Sequence, residues 1–155
     1  MEPKNRFMST DPTEGTPDPK SLHGSCLCGR VRYRITLPPT EIVHCHCTIC
    51  RRAGGAPFVT WATFARSAFA YAGDPPAERA STPSAVRTFC ASCGTPLTFH
   101  EIARPSWIDV TVGSLDRPED MVPGHHIFTS SRLPWLRIDD GLPKYAASNP
   151  SERQG

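Results

Sequence analysis

The sequence has almost no charge excess. Seventeen Lys plus Arg stand against 15 Asp plus Glu, a net charge of +2 over 155 residues. Proteins that grip phosphate backbones nonspecifically carry a strong basic excess, so nucleic acid is not an expected partner. Long apolar runs are missing as well. The longest is Ala68 to Ala72, far short of the ~20 residues that span a bilayer. Residues 1–21 hold only Met1, Phe7 and Met8 as large apolar side chains, whereas a secretory signal needs an apolar stretch of about 7–15. The reading is therefore of a protein without membrane association in the cytoplasm, where thiols stay reduced. Apolar spacing with a helical period is lacking too. With 17 Pro and 11 Gly, which break helix interiors, a helical bundle is excluded. The cysteines lack a partner for full pairing: there are seven, so they cannot all form disulfides within one chain.

What is present reads as short strands. Val31 to Leu37 alternates apolar and polar residues, as a half-buried strand does, until Pro38-Pro39 ends it. Ile42–His46, Pro57–Phe64, Phe69–Tyr71, Val86–Phe89, Pro96–His100, Trp107–Val112 and His126–Thr129 are further expected strands. Gly73-Asp74-Pro75-Pro76 marks a turn. Helix is expected only as a turn after Cys47 and in short pieces near Leu115–Met121 or Leu133–Leu136. The fold class is thus mainly β with little helix. The domain reading is a disordered polar leader over 1–21, one β domain over 22–146 and a polar tail over 147–155.

The cysteines fall into Cys26-x-Cys28, Cys45-x-Cys47-x-x-Cys50 and Cys90-x-x-Cys93. In an extended segment, residues two apart face one side about 6–7 Å apart. Cys45 and Cys47 can thus close on one ion, with a turn returning Cys50 to it, while His44 and His46 face the other way. Each of the two outer pairs is followed by a glycine, Gly29 and Gly94, which permits the positive φ that turns backbone N–H groups toward sulfur. Four thiolates from the outer pairs would make a closed structural zinc site, and three from the central group an open one. Spacing alone leaves alternatives: two closed sites completed by His44, His46, His100, His125 or His126, an iron–sulfur cluster, or free thiols and disulfides.

These residues carry a resemblance. Gly24-Ser25-Cys26-Leu27-Cys28-Gly29-Arg30-Val31-Arg32-Tyr33 resembles the opening motif of the glutathione-dependent formaldehyde-activating enzyme family, which includes the centromere-protein-V-like domains. Cys45 to Arg52, followed by Gly54-Gly55-Ala56-Pro57-Phe58, is similar to its central motif, and Phe89 to Leu97 to its third. Val112 to Asp116, His126 to Thr129, Pro134-Trp135 and Asp139 to Pro143 are similar to its C-terminal half. The resemblance implies an Mss4-like, zinc-stapled domain of several small antiparallel sheets. It implies a structural zinc on Cys26, Cys28, Cys90 and Cys93, and a second zinc on Cys45, Cys47 and Cys50. It also implies a carbon–sulfur lyase activity that joins formaldehyde and glutathione as S-hydroxymethylglutathione, with a small-molecule thiol and aldehyde as partners. The alternative is a non-catalytic, zinc-stapled protein-binding module of the same fold.

Arg51 and Arg52 stand beside the triad and are candidate contacts for the carboxylate of a thiol substrate, with solvated surface as the plainer reading. His46 is expected to pack or hydrogen-bond opposite the sulfurs, and His125-His126 to start a strand. Trp61, Trp107 and Trp135 are expected in the core of so small a β domain, and Asp139-Asp140-Gly141 in a turn.

Overall fold

The computed structural model describes residues 21–149. The polar leader lies outside them except for Ser21, as do residues 150–155 of the tail. Ten strands form two sheets. β1 (Leu22–Ser25), β2 (Val31–Ile35) and β5 (Phe69–Gly73) make a three-stranded antiparallel sheet in the order β1-β2-β5. The other sheet has seven strands: β3 (Glu41–Cys45), β4 (Val59–Ala65), β6 (Ala77–Thr82), β7 (Ala85–Phe89), β8 (Pro96–Glu101), β9 (Trp107–Thr111) and β10 (His125–Ile127). Their order is β10-β3-β4-β9-β8-β7-β6. The single α-helix among the described residues, α1 (Thr48–Gly54), follows β3.

The expectation of a mainly β domain with little helix holds. Two details differ from a set of small antiparallel sheets. One sheet is large, and β10 runs parallel to β3, pairing His126 with His44 and Ile127 with Cys45. A parallel partner must return from far along the chain, which local sequence does not announce. Two strands also escaped the sequence reading. β1 contains His23 and Gly24, weak strand formers. It forms because it pairs with β2, and because Gly24 lets Tyr33 sit against its backbone: a Cβ there would lie 2.2 Å from the Tyr33 hydroxyl. β6, Ala-Glu-Arg-Ala-Ser-Thr, is largely polar because it is the outer edge strand, held by its hairpin with β7.

β2 alternates as expected, with Val31, Tyr33 and Ile35 buried and Arg32 and Arg34 exposed. Its buried face joins Phe64, Leu97, Ile108 and Val110 in the main core, which also takes in Cys26 and Cys90. Burying each such large apolar side chain is worth about 1.5–3 kcal/mol. A second cluster holds Val43, Cys45, Cys50, Trp61 and Ile127. β4 separates the two, because Ala62 and Phe64 point into the main core while Trp61 points into the second. The expectation of three core tryptophans is corrected in part. Trp61 is buried and Trp107 half-buried, but Trp135 is 66% exposed, because the segment after β10 lies on the surface. Among the described residues no helix is long and apolar enough to cross a membrane.

Candidate metal centres

The seven cysteines gather into two groups, each with its sulfurs within 4.8 Å of one another. The first is Cys26, Cys28, Cys90 and Cys93. Tetrahedral Zn–S bonds of about 2.3 Å place sulfurs about 3.8 Å apart, and here the Cys26–Cys28 and Cys28–Cys90 sulfurs are 3.4 and 3.7 Å apart. Both turns close as the sequence implies. Gly29 and Gly94 take φ of 75° and 78°, and their N–H groups donate to the carbonyls of Cys26 and Cys90 at 2.9 and 2.8 Å. The Val31 N–H donates to the Cys26 sulfur at 3.4 Å. Thr95 joins the turns: its hydroxyl oxygen accepts the Leu27 N–H at 3.0 Å and lies 3.2 Å from the Cys93 sulfur. That hydroxyl contact is the main reason the Cys93 thiol is drawn down to about 5.

The second group is Cys45, Cys47 and Cys50. Cys45 ends β3, and Cys47 is the N-cap of α1, its sulfur accepting the Cys50 N–H at 3.2 Å. The cap brings Cys50, in the first turn, back beside the strand end. Hydrogen bonding from Cys45 and then Cys50 pulls the Cys47 thiol down to about 2, and the same contact with Cys47 pushes Cys45 up. The cluster thus favours a thiolate at Cys47, a charge that a cation would satisfy.

The histidines face away from the sulfurs, as the alternation implies. His46 is fully buried, packed against Phe58 and His126. A hydrogen-bonded chain runs behind the triad: Asp140 Oδ2 to His126 Nε2 at 2.7 Å, and His126 Nδ1 to His46 Nε2 at 2.9 Å. Burial works against the Asp140 charge, but the bonds from His126 and from the Leu142 N–H hold its carboxyl below the usual range. Asp140 accepts from His126 Nε2, and His126 Nδ1 and His46 Nε2 share the next hydrogen bond. Burial, then the nearby His126, lowers the His46 pKa to about 4. His44 lies beside this chain and bonds the Thr60 hydroxyl at 2.8 Å. Asp139-Asp140-Gly141 does form a turn, but Asp140 also braces the histidines, a contact visible only after β10 is placed.

Sequence reasoning missed Arg87. Its Nη2 donates to the Cys50 sulfur at 3.4 Å, and its guanidinium lies over Phe99 and Trp61, 4.7 and 5.5 Å from the ring centroids. Its Nε is buried without a hydrogen-bond partner. Nothing in β7 alone marks it; the signal is its cross-strand pairing with Phe99. Arg51 is half-buried on α1, also with a buried, unbonded Nε, and Arg52 is exposed. A cavity of about 300 Å³ opens one side chain away from Cys50, between the end of α1 at Ala53 and Gly54, Trp61 of β4, and Arg79 and Arg87 of β6 and β7.

A family model for the glutathione-dependent formaldehyde-activating enzyme matches residues 21–131, which include all seven cysteines. The chain belongs to the glutathione-dependent formaldehyde-activating enzyme family. Within it, a Halomonas elongata protein provisionally named as such an enzyme is 28% identical over 133 residues, covering 76% of this chain and 81% of its own. An uncharacterized lyase of Schizosaccharomyces pombe is 29% identical over 76 residues, covering 49% of this chain and 55% of its own. The crystal structure of a Rhodobacter sphaeroides protein matches the fold with a TM-score of 0.52 and 20% identity, covering 79% of this chain and 98% of that one.

Proposed function

We propose that the chain is a zinc-dependent carbon–sulfur lyase of the formaldehyde-activating type, forming or cleaving a thiol–formaldehyde adduct such as S-hydroxymethylglutathione. On this reading residues 22–146 are the catalytic domain. It works in the reducing cytoplasm, where seven free thiols persist, and takes two zinc ions. Cys26, Cys28, Cys90 and Cys93 hold a structural zinc, and Cys45, Cys47 and Cys50 a second one. The carrying observation is the inequality of the two groups. The first offers four sulfurs; the second offers three, and among the described residues no further Cys, His, Asp or Glu joins it. Zinc bound by Cys45, Cys47 and Cys50 would supply a site that favours the thiolate form of a substrate sulfur, which is the nucleophile.

The chain's own residues do the rest. Cys45 at the end of β3 and Cys47 and Cys50 at the start of α1 bring three sulfurs together. Arg51, Arg52 and the Arg87 contact to Cys50 offset the negative charge that three thiolates and a substrate sulfur bring together. Formaldehyde attacked by the substrate sulfur gains a C–S bond, and its carbonyl oxygen takes a proton to become the hydroxyl. Cleavage is the reverse.

The test is the rate of glutathione–formaldehyde condensation by zinc-replete protein against the spontaneous rate, together with zinc counted per chain. Acceleration lost with the second zinc supports the reading. Two zinc ions per chain with no acceleration favours the non-catalytic binding module.

A further inference from the structure

We propose that the cavity beside Cys50 selects thiols that carry a carboxylate, and that Arg79 and Arg87 are its specificity-determining residues. The proposal rests on the thiol-binding reading above and names the class of thiol.

Two observations point to an anion, independently of each other. First, Arg79 and Arg87 are direct cross-strand partners in the β6–β7 hairpin, and both line the cavity. Like charges directly opposite destabilise a strand pair, and an anion bound between them removes that repulsion. Second, Arg87 forms no ion pair with a carboxylate among the described residues. Its contacts are the Cys50 sulfur and the faces of Phe99 and Trp61. Its buried Nε has no hydrogen-bond partner. A guanidinium held in this way keeps its charge and, with its planar fork, suits a carboxylate better than a neutral group.

The geometry also ties the anion to the metal centre. Arg87 bonds Cys50 and lines the cavity, so a molecule lying there is one side chain from Cys50. Trp61, Val59 and Pro96 supply an apolar wall against which a short carbon skeleton can pack. A thiol with its carboxylate toward the two arginines can therefore direct its sulfur toward Cys45, Cys47 and Cys50.

The experiment uses the full chain with cobalt in both cysteine sites and follows the cobalt absorption of the three-cysteine site. The probes are 3-mercaptopropionate, 2-mercaptoethanol and cysteamine, which are anionic, neutral and cationic. The expected result is tighter binding of mercaptopropionate than mercaptoethanol by about tenfold, the scale of one charge-assisted hydrogen bond, with cysteamine weakest. In Arg79→Ala, and separately in Arg87→Met, that ratio falls several-fold. The four-cysteine cobalt bands serve as the control for folding. Equal affinities for the three thiols in the unmodified chain, or a ratio that survives both substitutions, overturns the proposal and leaves the thiol-binding reading standing. A cobalt spectrum indifferent to every thiol overturns both.

Discussion

The two cysteine centres use the same ligand in opposite surroundings. Cys26, Cys28, Cys90 and Cys93 come from two turns far apart in the chain and abut the main core. Backbone N–H groups and the Thr95 hydroxyl lie against them, and no charged side chain among the described residues bonds their sulfurs. Cys45, Cys47 and Cys50 come from six consecutive residues. The Cys50 sulfur meets a guanidinium, and a histidine chain braces the segment from behind; the cavity, lined by Ala53 and Gly54 and also by Phe89 and Gly94, adjoins both centres. The first centre joins what the chain separates, so on the proposed reading a metal there would contribute to folding. The second joins what the chain already holds together, so a metal there would add less to folding and would be freer to serve chemistry.

The sharpest way to break this contrast is to remove a ligand from the first centre. Cys93→Ser or Cys26→Ser should abolish cooperative folding. Structural zinc contributes roughly 10 kcal/mol or more, comparable to the whole stability of about 5–15 kcal/mol of an ordinary domain. Circular dichroism and amide NMR dispersion report the loss. A folded Cys93→Ser protein with full zinc would overturn the assignment.

The matching change in the second centre should act on metal and not on fold. Cys47→Ser also replaces the sulfur that caps α1, so a small stability loss of about 1 kcal/mol is expected. The domain should still melt cooperatively, hold one zinc fewer per chain, and lose its acceleration of adduct formation. Metal analysis beside a thermal melt checks this. Unfolding as complete as that of Cys93→Ser would erase the distinction between the centres.

The grouping of the cysteines was legible because they sit at short spacings, with a glycine after each of the two outer pairs. Gly29 and Gly94 take the positive φ that their position implied. The strands with clean alternation, such as Val31 to Ile35, were legible for the same reason: local pattern and burial agree. The surroundings were not. Arg87 reaches Cys50 across 37 residues, and His126 reaches His46 across 80. Those contacts exist because β7 pairs β8 and because β10 runs parallel to β3, and no single segment encodes either pairing. Trp135 misled because size suggested burial, while its segment lies outside both sheets.

The histidine chain offers a subtler comparison. His126→Ala would leave His46 Nε2 and Asp140 without their partner and open a buried space, at a cost of about 2–4 kcal/mol. Asp140→Asn keeps the shape and should cost less. Because the chain braces only the segment that carries Cys45 and Cys47, both substitutions should weaken metal retention at the second centre more than at the first. Timed zinc release to a chelator, scored per site through cobalt bands, measures this. Equal acceleration of release from both centres would show that the histidines support the fold in general.

The smallest effect concerns Asp109, on the β9 neighbour of β4. Its Oδ1 accepts the Thr63 hydroxyl at 2.5 Å. Its pKa is raised from 3.8 to about 6, chiefly by burial, with Glu101 adding like charge. A carboxyl raised in the folded state binds its proton more tightly there than in the unfolded chain. Its contribution to stability is therefore full below the unfolded value, falls as pH climbs through the folded one, and is flat above it. Asp109→Asn keeps the acceptor for Thr63 and has no proton to lose. It should flatten the stability profile between pH 3.8 and about 6 and raise stability near neutrality by about 1 kcal/mol. Urea melts across that window test it. A profile as steep in Asp109→Asn as in the unmodified chain would mean that another group titrates in this window.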